Sequence, residues 1–331
     1  MMIYDNEKQT MIVFGPIPSR RLGRSLGVNN IPPKTCSYSC VYCQVGITNS
    51  MSVERKEYFS PNKIFESVSQ KVSQLLNSAE QIDYITFVPD GEPTLDLNLG
   101  KSIELLKSFG IKIAVITNAS LLWKPDVLDD LKLADWVSVK IDSVYQNLWQ
   151  KINRPHGKLN LEKILIGIQQ FAEEFKGTLV TETMLVRHLN DNLESLDKTA
   201  KFIKKINPTK SYILVPTRPP AEKNVEIPRE NSLNIAYQIF NGYLSNAEFL
   251  FSGEGVDFTY LGEVESELLS IVSVHPMMKD AVENFLSKAN SDWSLIEKLI
   301  ADNKLKEVQF EGIKYYVKSF IKNSRKSMLQ N

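Results

Sequence analysis

Short apolar runs alternate with amphipathic segments over most of the chain. A short apolar run bounded by polar residues is typical of a buried strand, whereas apolar residues recurring every three or four positions indicate a helix packed on one face. The apolar runs predict strands at Leu26–Asn29, Tyr84–Val88, Ile111–Thr117, Trp136–Ile141, Thr178–Leu185 and Tyr212–Val215. The amphipathic segments predict helices at Pro61–Leu76, Asn98–Phe109, Pro125–Leu131, Val144–Ile152, Leu161–Phe175, Leu193–Ile206 and Glu230–Tyr243.

The order of these elements has a direct consequence for the fold. Strands that alternate with helices form right-handed β-α-β units, and such units build a parallel sheet. In a parallel barrel the functional residues come from the carboxyl ends of the strands. Ahead of the first parallel strand, the glycines and prolines between residues 15 and 33 predict an ordered loop with short strands.

The pattern changes towards the C-terminus. The glycine-rich run Ser252–Gly255 predicts a first domain over residues 1–252, which includes an N-terminal extension, and a linker over residues 253–261. Three further helices and a hairpin around Glu311–Gly312 predict a winged-helix-like α+β domain over residues 262–331. The predicted elements are the helices Glu265–Val274, Met277–Ala289 and Asp292–Asp302 and the strands Glu307–Phe310 and Ile313–Val317.

Composition and charge narrow the classes of function. The chain has 331 residues, of which 43% are hydrophobic, enough for one large domain and a small second one. Its 39 basic and 39 acidic side chains give no overall positive field, which argues against binding nucleic acid through global charge. No apolar run approaches the roughly 18 residues of a membrane-spanning helix, and the N-terminus does not resemble a secretion signal. We therefore expect a cytoplasmic protein without a membrane partner.

The cysteines carry the clearest chemical signal. All three, Cys36, Cys40 and Cys43, fall in one short segment with the spacing C-x3-C-x2-C. Three thiolates in one loop can ligate three irons of a 4Fe–4S cluster, which leaves the fourth iron open for another ligand. A structural zinc site is an alternative, although it usually needs four ligands and the histidines lie far away in the sequence. Three unrelated buried thiols are a further alternative, whereas an odd number of cysteines does not form a disulfide framework.

With Tyr42 directly before the last cysteine, this segment resembles the signature of the radical S-adenosylmethionine (SAM) superfamily. The resemblance covers residues 12–222 and implies an α/β fold, the partial (β/α)6 barrel of TIM type. It also implies two cofactors: one 4Fe–4S cluster, held by the three cysteines, and SAM, bound at the open iron and near Tyr42. Members of the superfamily cleave SAM with one electron to a 5′-deoxyadenosyl radical. The run from Phe14 to Gly27 is similar to one branch, the tRNA wyosine (4-demethylwyosine) synthetases and their relatives.

Two turns that follow predicted strands resemble SAM-binding motifs of the superfamily. The run Pro89–Leu95 resembles the GGE motif, which binds the amino group of SAM, with Asp90 in place of the first glycine. The run Thr117–Ser120 resembles a T-N-G-S turn, and Ala119 in place of the glycine argues against a positive φ there. The resemblance implies that the residues contacting SAM include Gly91, Glu92, Pro93, Thr117 and Asn118.

Polar residues on the next two strands are further candidates. Lys140 and Asp142 alternate along the fourth strand and therefore point to the same side. Asp142 sits where the superfamily contacts the SAM ribose, and Glu182 on the fifth strand is a further candidate for cofactor binding. Lys140 is a candidate catalytic residue, because a desolvated lysine can act as a nucleophile; an internal ion pair with Asp142 is the alternative. Arg154, in a run that matches the branch, is a candidate for pairing with the SAM carboxylate or a substrate anion, and a surface arginine at a helix end is the alternative.

A basic stretch precedes and contains the cysteines. Residues 8–53 hold five basic side chains and no acidic one, which fits an anion-binding approach to the cluster as well as a solvated basic surface. Three of its arginines, Arg20, Arg21 and Arg24, are candidates for substrate binding. Arg218 is a fourth candidate, because the prolines around it restrict the backbone.

These features together predict a radical SAM enzyme of unassigned reaction that abstracts hydrogen from its substrate. The lack of a fourth cysteine argues against radical enzymes that carry a second cluster, including those that insert sulfur. We expect an electron donor such as flavodoxin or ferredoxin as a partner and favour tRNA or another RNA as the substrate.

Two alternatives belong to other classes. One is a radical SAM enzyme that acts on a peptide or protein, with the C-terminal domain as the docking module for that protein partner. The other is a non-enzymatic iron–sulfur regulator that binds DNA through the winged helix. Residues 262–331 hold ten basic and ten acidic side chains, whereas residues 304–331 hold seven and two, so charge leaves both nucleic-acid contact and protein packing open.

Overall fold

The computed structural model describes residues 11–78, 80–250, 258 and 263–319. Its strands are β1 (Val13–Ser19), β2 (Gly23–Val28), β3 (Thr35–Cys36), β4 (Ser50–Met51), β5 (Tyr84–Phe87), β6 (Lys112–Thr117), β7 (Trp136–Lys140), β8 (Thr178–Met184), β9 (Lys210–Leu214), β10 (Ala247–Leu250), β11 (Met277–Met278), β12 (Leu305–Phe310) and β13 (Ile313–Lys318). Its helices are α1 (Pro61–Asn77), α2 (Leu99–Leu106), α3 (Pro125–Lys132), α4 (Gln146–Asn153), α5 (Leu161–Glu174), α6 (Leu193–Ile206), α7 (Glu230–Tyr243), α8 (Val264–Val274), α9 (Lys279–Lys288) and α10 (Ser294–Ala301).

One large sheet organises the first part of the chain. Its strand order is β1-β2-β5-β6-β7-β8-β9-β10, in which β1 is antiparallel to β2 and every later pairing is parallel. The six predicted parallel strands are confirmed, and with them the α/β fold and the partial barrel. The short strand β10 extends the parallel sheet beyond the prediction. Strand β1 tolerates its two prolines because it lies at the sheet edge and has an irregular register between Phe14 and Ile17.

The interior face of the sheet is built in layers. Alternate residues of neighbouring strands form an apolar cluster that includes Ala114, Trp136, Val180 and Tyr212. The next interior positions along three of these strands, two residues further on, are Ile116, Glu182 and Leu214, and all three line a pocket. The apolar layer therefore closes the barrel below the pocket and keeps polar chemistry to the carboxyl ends of the strands.

The helix ends follow the chemistry of their capping residues. Helix α1 begins at Pro61 because the Ser60 side chain accepts a hydrogen bond from the backbone N–H of Lys63. The predicted helix 98–109 is α2 followed by a 3₁₀ turn, and it stops at Gly110, whose φ is 69°. None of the helices in the described residues is long and apolar enough to cross a membrane.

The C-terminal elements are three helices and a three-stranded antiparallel sheet in the order β11-β13-β12. The prediction of a helix from Met277 was wrong at its start, because Met277 and Met278 pair with β13 and the helix begins at Lys279. Assignment of these elements to a winged-helix domain stays a prediction. Most of the predicted linker 253–261 and residues 320–331 lie outside the described part of the chain.

The C-terminal elements pack against the edge of the large sheet. Phe14 and Ile17 of β1 belong to the same apolar cluster as Leu268, Phe285 and Tyr316. An exposed strand edge is a liability for aggregation, and an apolar cover removes it. Strand β1 therefore joins the two parts of the protein.

Candidate active site

A pocket of about 290 Å³ lies at the carboxyl ends of the parallel strands. All three cysteines line this pocket. They therefore lie at the end of the barrel where parallel-barrel enzymes have their active sites. The predicted site residues among its lining are Arg20, Arg21, Cys36, Cys40, Tyr42, Cys43, Gly91, Lys140, Glu182 and Arg218.

The end of α4 shapes the cysteine loop through backbone hydrogen bonds. The N–H of Val41 donates to the carbonyl of Ile152 at 2.9 Å, and the N–H of His156 donates to the carbonyl of Ser37 at 2.9 Å. Between these two contacts Arg154 adopts a left-handed conformation with φ of 43°, which turns the chain out of the helix. The run 152–156 therefore holds the loop that presents the cysteines.

Two asparagine side chains donate to cysteine sulfurs. Nδ2 of Asn118 lies 3.5 Å from Sγ of Cys36, and Nδ2 of Asn153 lies 3.4 Å from Sγ of Cys40. Asn153 also donates to Oδ2 of Asp142 at 2.7 Å. Cys36 and Cys40 thus each have the N–H of an asparagine side chain directed at the sulfur.

The Glu92 carboxylate is buried and surrounded by donors. It accepts hydrogen bonds from the backbone N–H and hydroxyl of Thr94 at 3.1 and 2.6 Å, from the hydroxyl of Thr117 at 2.6 Å and from the backbone N–H of Asn118 at 2.7 Å. Glu92 therefore ties the turn after β5 to the turn after β6. Of the predicted residues in its own turn, Gly91 lines the pocket whereas Glu92 and Pro93 lie behind it.

Asp142 is held by donors from three other elements. The hydroxyl of Tyr42 and the amide of Asn153 donate to Oδ2, and the backbone N–H of Met184 donates to Oδ1 at 2.9 Å. The Lys140–Asp142 ion pair, the alternative to a functional role for Lys140, does not form, because the Lys140 ammonium lies instead next to Glu182. Asp142 is thus linked to the cysteine loop through both Tyr42 and Asn153.

Glu182 forms the charged centre of the pocket floor. Its carboxylate pairs with Arg21, lies 3.5 Å from Nζ of Lys140 and accepts a hydrogen bond from Ser138 at 2.8 Å. Burial opposes ionisation of Glu182, but the charges of Arg21 and Lys140 outweigh it and lower the pKa of Glu182 to about 2. Burial likewise acts to lower the pKa of Lys140, yet the Glu182 and Asp142 charges raise that pKa above its ordinary value. The raised pKa keeps Lys140 as an ammonium ion, whereas a nucleophile needs the neutral amine; its predicted catalytic role stays a prediction.

Comparison with known proteins identifies the family. The family model of the radical SAM superfamily matches residues 30–203, which is more than half of the chain. The chain belongs to the radical SAM superfamily. It is an enzyme of this superfamily, and its cofactors are a 4Fe–4S cluster and SAM.

Relatives of known sequence extend this match beyond the barrel. The chain is 46% identical over 310 residues to the UPF0026 protein MJ1312 of Methanocaldococcus jannaschii, covering 93% of this chain and 96% of the relative. It is 32% identical over 269 residues to a UPF0026 protein of Helicobacter pylori, covering 80% and 85%. Among solved structures, a radical SAM methyltransferase from Sphaerobacter thermophilus superposes with a TM-score of 0.52 at 14% identity, covering 69% of this chain and 66% of that one, which shows the shared fold.

The cysteine pocket fits the radical SAM cluster. Burial raises the pKa of each thiol, that of Cys40 to about 12, so the thiolate forms require positive charge that iron supplies on binding. Amide N–H groups facing the sulfurs are typical surroundings of cluster ligands. Among the described residues no group of three His, Cys, Asp or Glu side chains is arranged to hold a single metal ion. Cys36, Cys40 and Cys43 would hold the cluster.

Two predicted arginines lie away from the radical SAM pocket. Arg24 pairs with Glu80, and its backbone N–H donates to Asp83 at 2.7 Å. The Arg154 side chain is 48% exposed and pairs with Glu222, as the helix-end alternative predicts. Neither residue is among the described residues that line the pocket.

Sequence reasoning missed several residues that build the site. The most informative is Asn153, which belongs to the same run as Arg154; only the structure distinguishes the buried asparagine from the exposed arginine. Lys34 and Asp90, whose charged atoms lie 3.4 Å apart, form a second buried pair in the pocket wall. Burial raises the pKa of Asp90 to about 6 despite the Lys34 charge. In the sequence, the sign of this pair was Asp90, an acidic residue in place of the first glycine of the GGE motif.

Proposed function

We propose that the enzyme cleaves SAM reductively and abstracts hydrogen from an anionic substrate, with RNA as the favoured class. Cys36, Cys40 and Cys43 would hold the cluster, which when bound would supply the one electron for cleavage of the C5′–S bond of SAM to methionine and a 5′-deoxyadenosyl radical. That radical would become 5′-deoxyadenosine on taking a hydrogen atom from the substrate. A small protein such as flavodoxin or ferredoxin supplies the electron. The observation that carries the proposal is that the three cysteines and three arginine or lysine groups from other elements line one pocket: Arg21, Lys140 and Arg218.

The residues of the chain act by binding and orienting. The turn at Pro89–Gly91 lines the pocket beside the cysteines, at the place where the resembled GGE motif binds the amino group of SAM. Glu92 fixes that turn, because its carboxylate is bound by four donors from two adjacent turns. Asp142 and Tyr42 hold each other next to the cysteine loop, where the family contacts the SAM ribose.

The charge of the pocket selects an anion. Asp90 and Glu182 are the two acidic side chains among the described lining residues, and each is paired with a lysine. The basic lining residues are Arg20, Arg21, Lys34, Lys140 and Arg218. A formal excess of three positive charges among these lining side chains attracts phosphate or carboxylate groups.

RNA is favoured over other anions by the stretch that surrounds the cysteines. Residues 8–53 have no acidic side chain, and a backbone of phosphates is bound through such basic stretches. The similarity of Phe14–Gly27 to the wyosine branch supports the same class. A peptide with acidic residues would satisfy the same pocket charge, so the substrate experiment below separates the two.

The first experiment tests SAM cleavage. The protein is reconstituted with iron and sulfide without oxygen, reduced with dithionite in the presence of SAM, and analysed for 5′-deoxyadenosine by mass spectrometry. We expect 5′-deoxyadenosine from the natural protein and none from Cys40→Ala. If protein with a complete 4Fe–4S cluster neither binds SAM nor forms 5′-deoxyadenosine, the proposal is overturned. The alternative of a non-enzymatic iron–sulfur regulator is then favoured.

The second experiment tests the substrate class with a matched pair of arginine variants. Cellular tRNA is expected to stimulate formation of 5′-deoxyadenosine by the natural protein and by Arg24→Ala, because Arg24 lies outside the pocket. The stimulation should fall at least about tenfold in Arg218→Ala, the effect of losing about 1.4 kcal/mol of binding. Stimulation by a peptide fraction and not by RNA would replace RNA with the peptide alternative.

A further inference from the structure

The amide orientations of Asn118 and Asn153 are fixed by their other partners. Oδ1 of Asn118 accepts a hydrogen bond from the backbone N–H of Ser120 at 2.9 Å, so its NH2 group faces both the hydroxyl of Ser37 at 2.9 Å and Sγ of Cys36 at 3.5 Å. The amide of Asn153 lies 2.7 Å from a carboxylate oxygen of Asp142, which only accepts when ionised, so this side of Asn153 is also its NH2 group. Both asparagines therefore present N–H to sulfur rather than a carbonyl oxygen.

The geometry of Asn153 gives its two N–H bonds separate acceptors. One points to Oδ2 of Asp142 at 2.7 Å, and the other has Sγ of Cys40 and the hydroxyl oxygen of Tyr42 within reach, each at 3.4 Å. Asn153 is the last residue of α4, is buried, and its carbonyl accepts from Ser39 of the cysteine loop at 3.0 Å. Backbone and side chain thus hold the same loop, which leaves the amide little freedom to turn away from Cys40.

We propose that Asn118 and Asn153 are positioning residues that raise the reduction potential of the cluster by donating hydrogen bonds to Cys36 and Cys40. Reduction adds an electron to the cluster, and part of the added negative charge resides on the cysteine sulfurs. An N–H dipole directed at a sulfur therefore stabilises the reduced cluster more than the oxidised one. The inference depends on the cluster of the radical SAM superfamily and is independent of the substrate class.

The three cysteine sulfurs differ in their hydrogen-bond donors. Cys36 and Cys40 each have a side-chain amide donor, from the turn after β6 and from α4. Backbone N–H groups also donate to sulfur, that of Tyr38 to Cys36 and that of Val45 to Cys43. Substitution of the two asparagines changes two separate contacts, so their effects on the potential should add. Asn153 also donates to Asp142, whose charge acts on Cys40, so Asn118→Leu, which leaves that hydrogen bond in place, is the cleaner of the two variants.

The test is a redox titration of the reconstituted full-length protein, followed by the electron paramagnetic resonance signal of the reduced cluster. Leucine has nearly the shape of asparagine but lacks the amide. We expect Asn118→Leu and Asn153→Leu each to shift the midpoint potential to a more negative value, and the double variant to show the sum of the two shifts. The matched control is Thr181→Val, which loses a buried hydrogen bond to Ser211 that is 2.9 Å long. Neither residue is among the described residues that line the cysteine pocket, so this variant should not shift the potential. Unchanged or more positive potentials in the asparagine variants overturn the inference.

A measurement on the natural protein covers the case in which a variant fails to assemble its cluster. Protein labelled with ¹⁵N only in asparagine is reduced without SAM and examined by electron spin echo envelope modulation. Amide nitrogen hydrogen-bonded to a cysteine sulfur of the cluster should give a weak coupling that changes between ¹⁴N and ¹⁵N asparagine. Identical spectra from the two samples exclude asparagine as a donor to the cluster and overturn the inference.

Discussion

Gly91 lies in direct contact with Thr35: a Cβ atom on Gly91 would lie 1.9 Å from the carbonyl oxygen of Thr35. The same carbonyl accepts the backbone N–H of Glu92 at 3.1 Å, and the two segments form a parallel bridge. Because Cys36 follows Thr35, the turn that carries Glu92 is packed against the strand that leads into the cysteine loop. The cysteine loop and the turn predicted to bind SAM therefore meet at Gly91, where only glycine leaves room for the Thr35 carbonyl.

The first prediction concerns this contact. Gly91→Ala must move either the Glu92 turn or the Thr35 carbonyl, because a backbone oxygen cannot rotate away as a flexible side chain can. We expect SAM affinity to fall at least about tenfold, a loss of about 1.4 kcal/mol, together with a lower iron content after reconstitution. Equilibrium dialysis with labelled SAM and iron analysis measure the two effects. The control is Gly157→Ala, since nothing lies within 4 Å of a Cβ built there; equal behaviour of the two variants would contradict the prediction.

The second prediction concerns the Glu182 carboxylate, which neutralises two buried cations. Glu182→Gln leaves Arg21 and Lys140 without that charge, and breaking a buried ion pair from one side costs about 3–5 kcal/mol. We expect the free energy of unfolding of the cluster-free protein to fall by about this amount at pH 7, measured by denaturant titration. Glu174→Gln is the matched control, because Glu174 pairs with Lys132 at the surface and should have little effect.

The same pair of proteins should show a pH dependence of known sign. The pKa of Glu182 in the folded protein is lowered from its ordinary value of 4.5 to about 2, so folding favours the carboxylate. Its stabilisation is fully present above the ordinary pKa and is lost as the pH falls towards the folded pKa. The stability difference between the natural protein and Glu182→Gln should therefore be constant above about pH 5 and narrow between about pH 4.5 and 2. A difference that is independent of pH across that interval would show that Glu182 is not ionised.

The third prediction concerns the charge state of Lys140. An ammonium ion paired with Glu182 reacts slowly with acylating reagents, whereas a neutral amine reacts quickly. At pH 8 with trace acetic anhydride, we expect Lys140 to be acetylated more slowly than the exposed Lys151, as quantified by peptide mass spectrometry. In Glu182→Gln the ratio of Lys140 to Lys151 labelling should rise, because access is unchanged while the ammonium loses its partner. Faster labelling of Lys140 than of Lys151 in the natural protein would restore it as a candidate nucleophile.

The sequence was most informative where chemistry depends on local spacing. The three cysteines, the turn at Gly91–Glu92 and the six parallel strands are local patterns, and the structure contains each of them. Ala119 shows the limit of reasoning from residue type: its φ is 63° although alanine disfavours that conformation, because the buried turn around Glu92 determines the backbone. The partners of Lys140, Arg24 and Arg154 could not be predicted, since each depends on which distant carboxylate the fold places nearby.

Arg55 provides the last prediction, because it supports the Glu92 turn from outside the pocket. Its buried guanidinium donates to the carbonyls of Thr94 at 2.9 Å and Asp96 at 2.7 Å, and it pairs with Asp126 and Asp130 of α3. Lysine keeps the charge but presents a single ammonium in place of the planar fork, so Arg55→Lys cannot bind all four acceptors. We expect a loss of about 2–3 kcal/mol in the free energy of unfolding, the scale of one or two hydrogen bonds to a charged group left unmade.

We also expect Arg55→Lys to weaken the binding of SAM. Thr94 donates two hydrogen bonds to the Glu92 carboxylate, so a Thr94 carbonyl that loses its partner loosens the turn facing SAM. We therefore expect weaker SAM binding in isothermal titration with the cluster intact, because the distortion is close to the SAM side and the cysteine loop has its own support from α4. Arg187→Lys is the matched control, since the Arg187 side chain is more exposed than that of Arg55 (22% against 5%) and pairs with Glu226. Loss of stability in Arg55→Lys with unchanged SAM affinity would show that Arg55 stabilises the fold without positioning the turn.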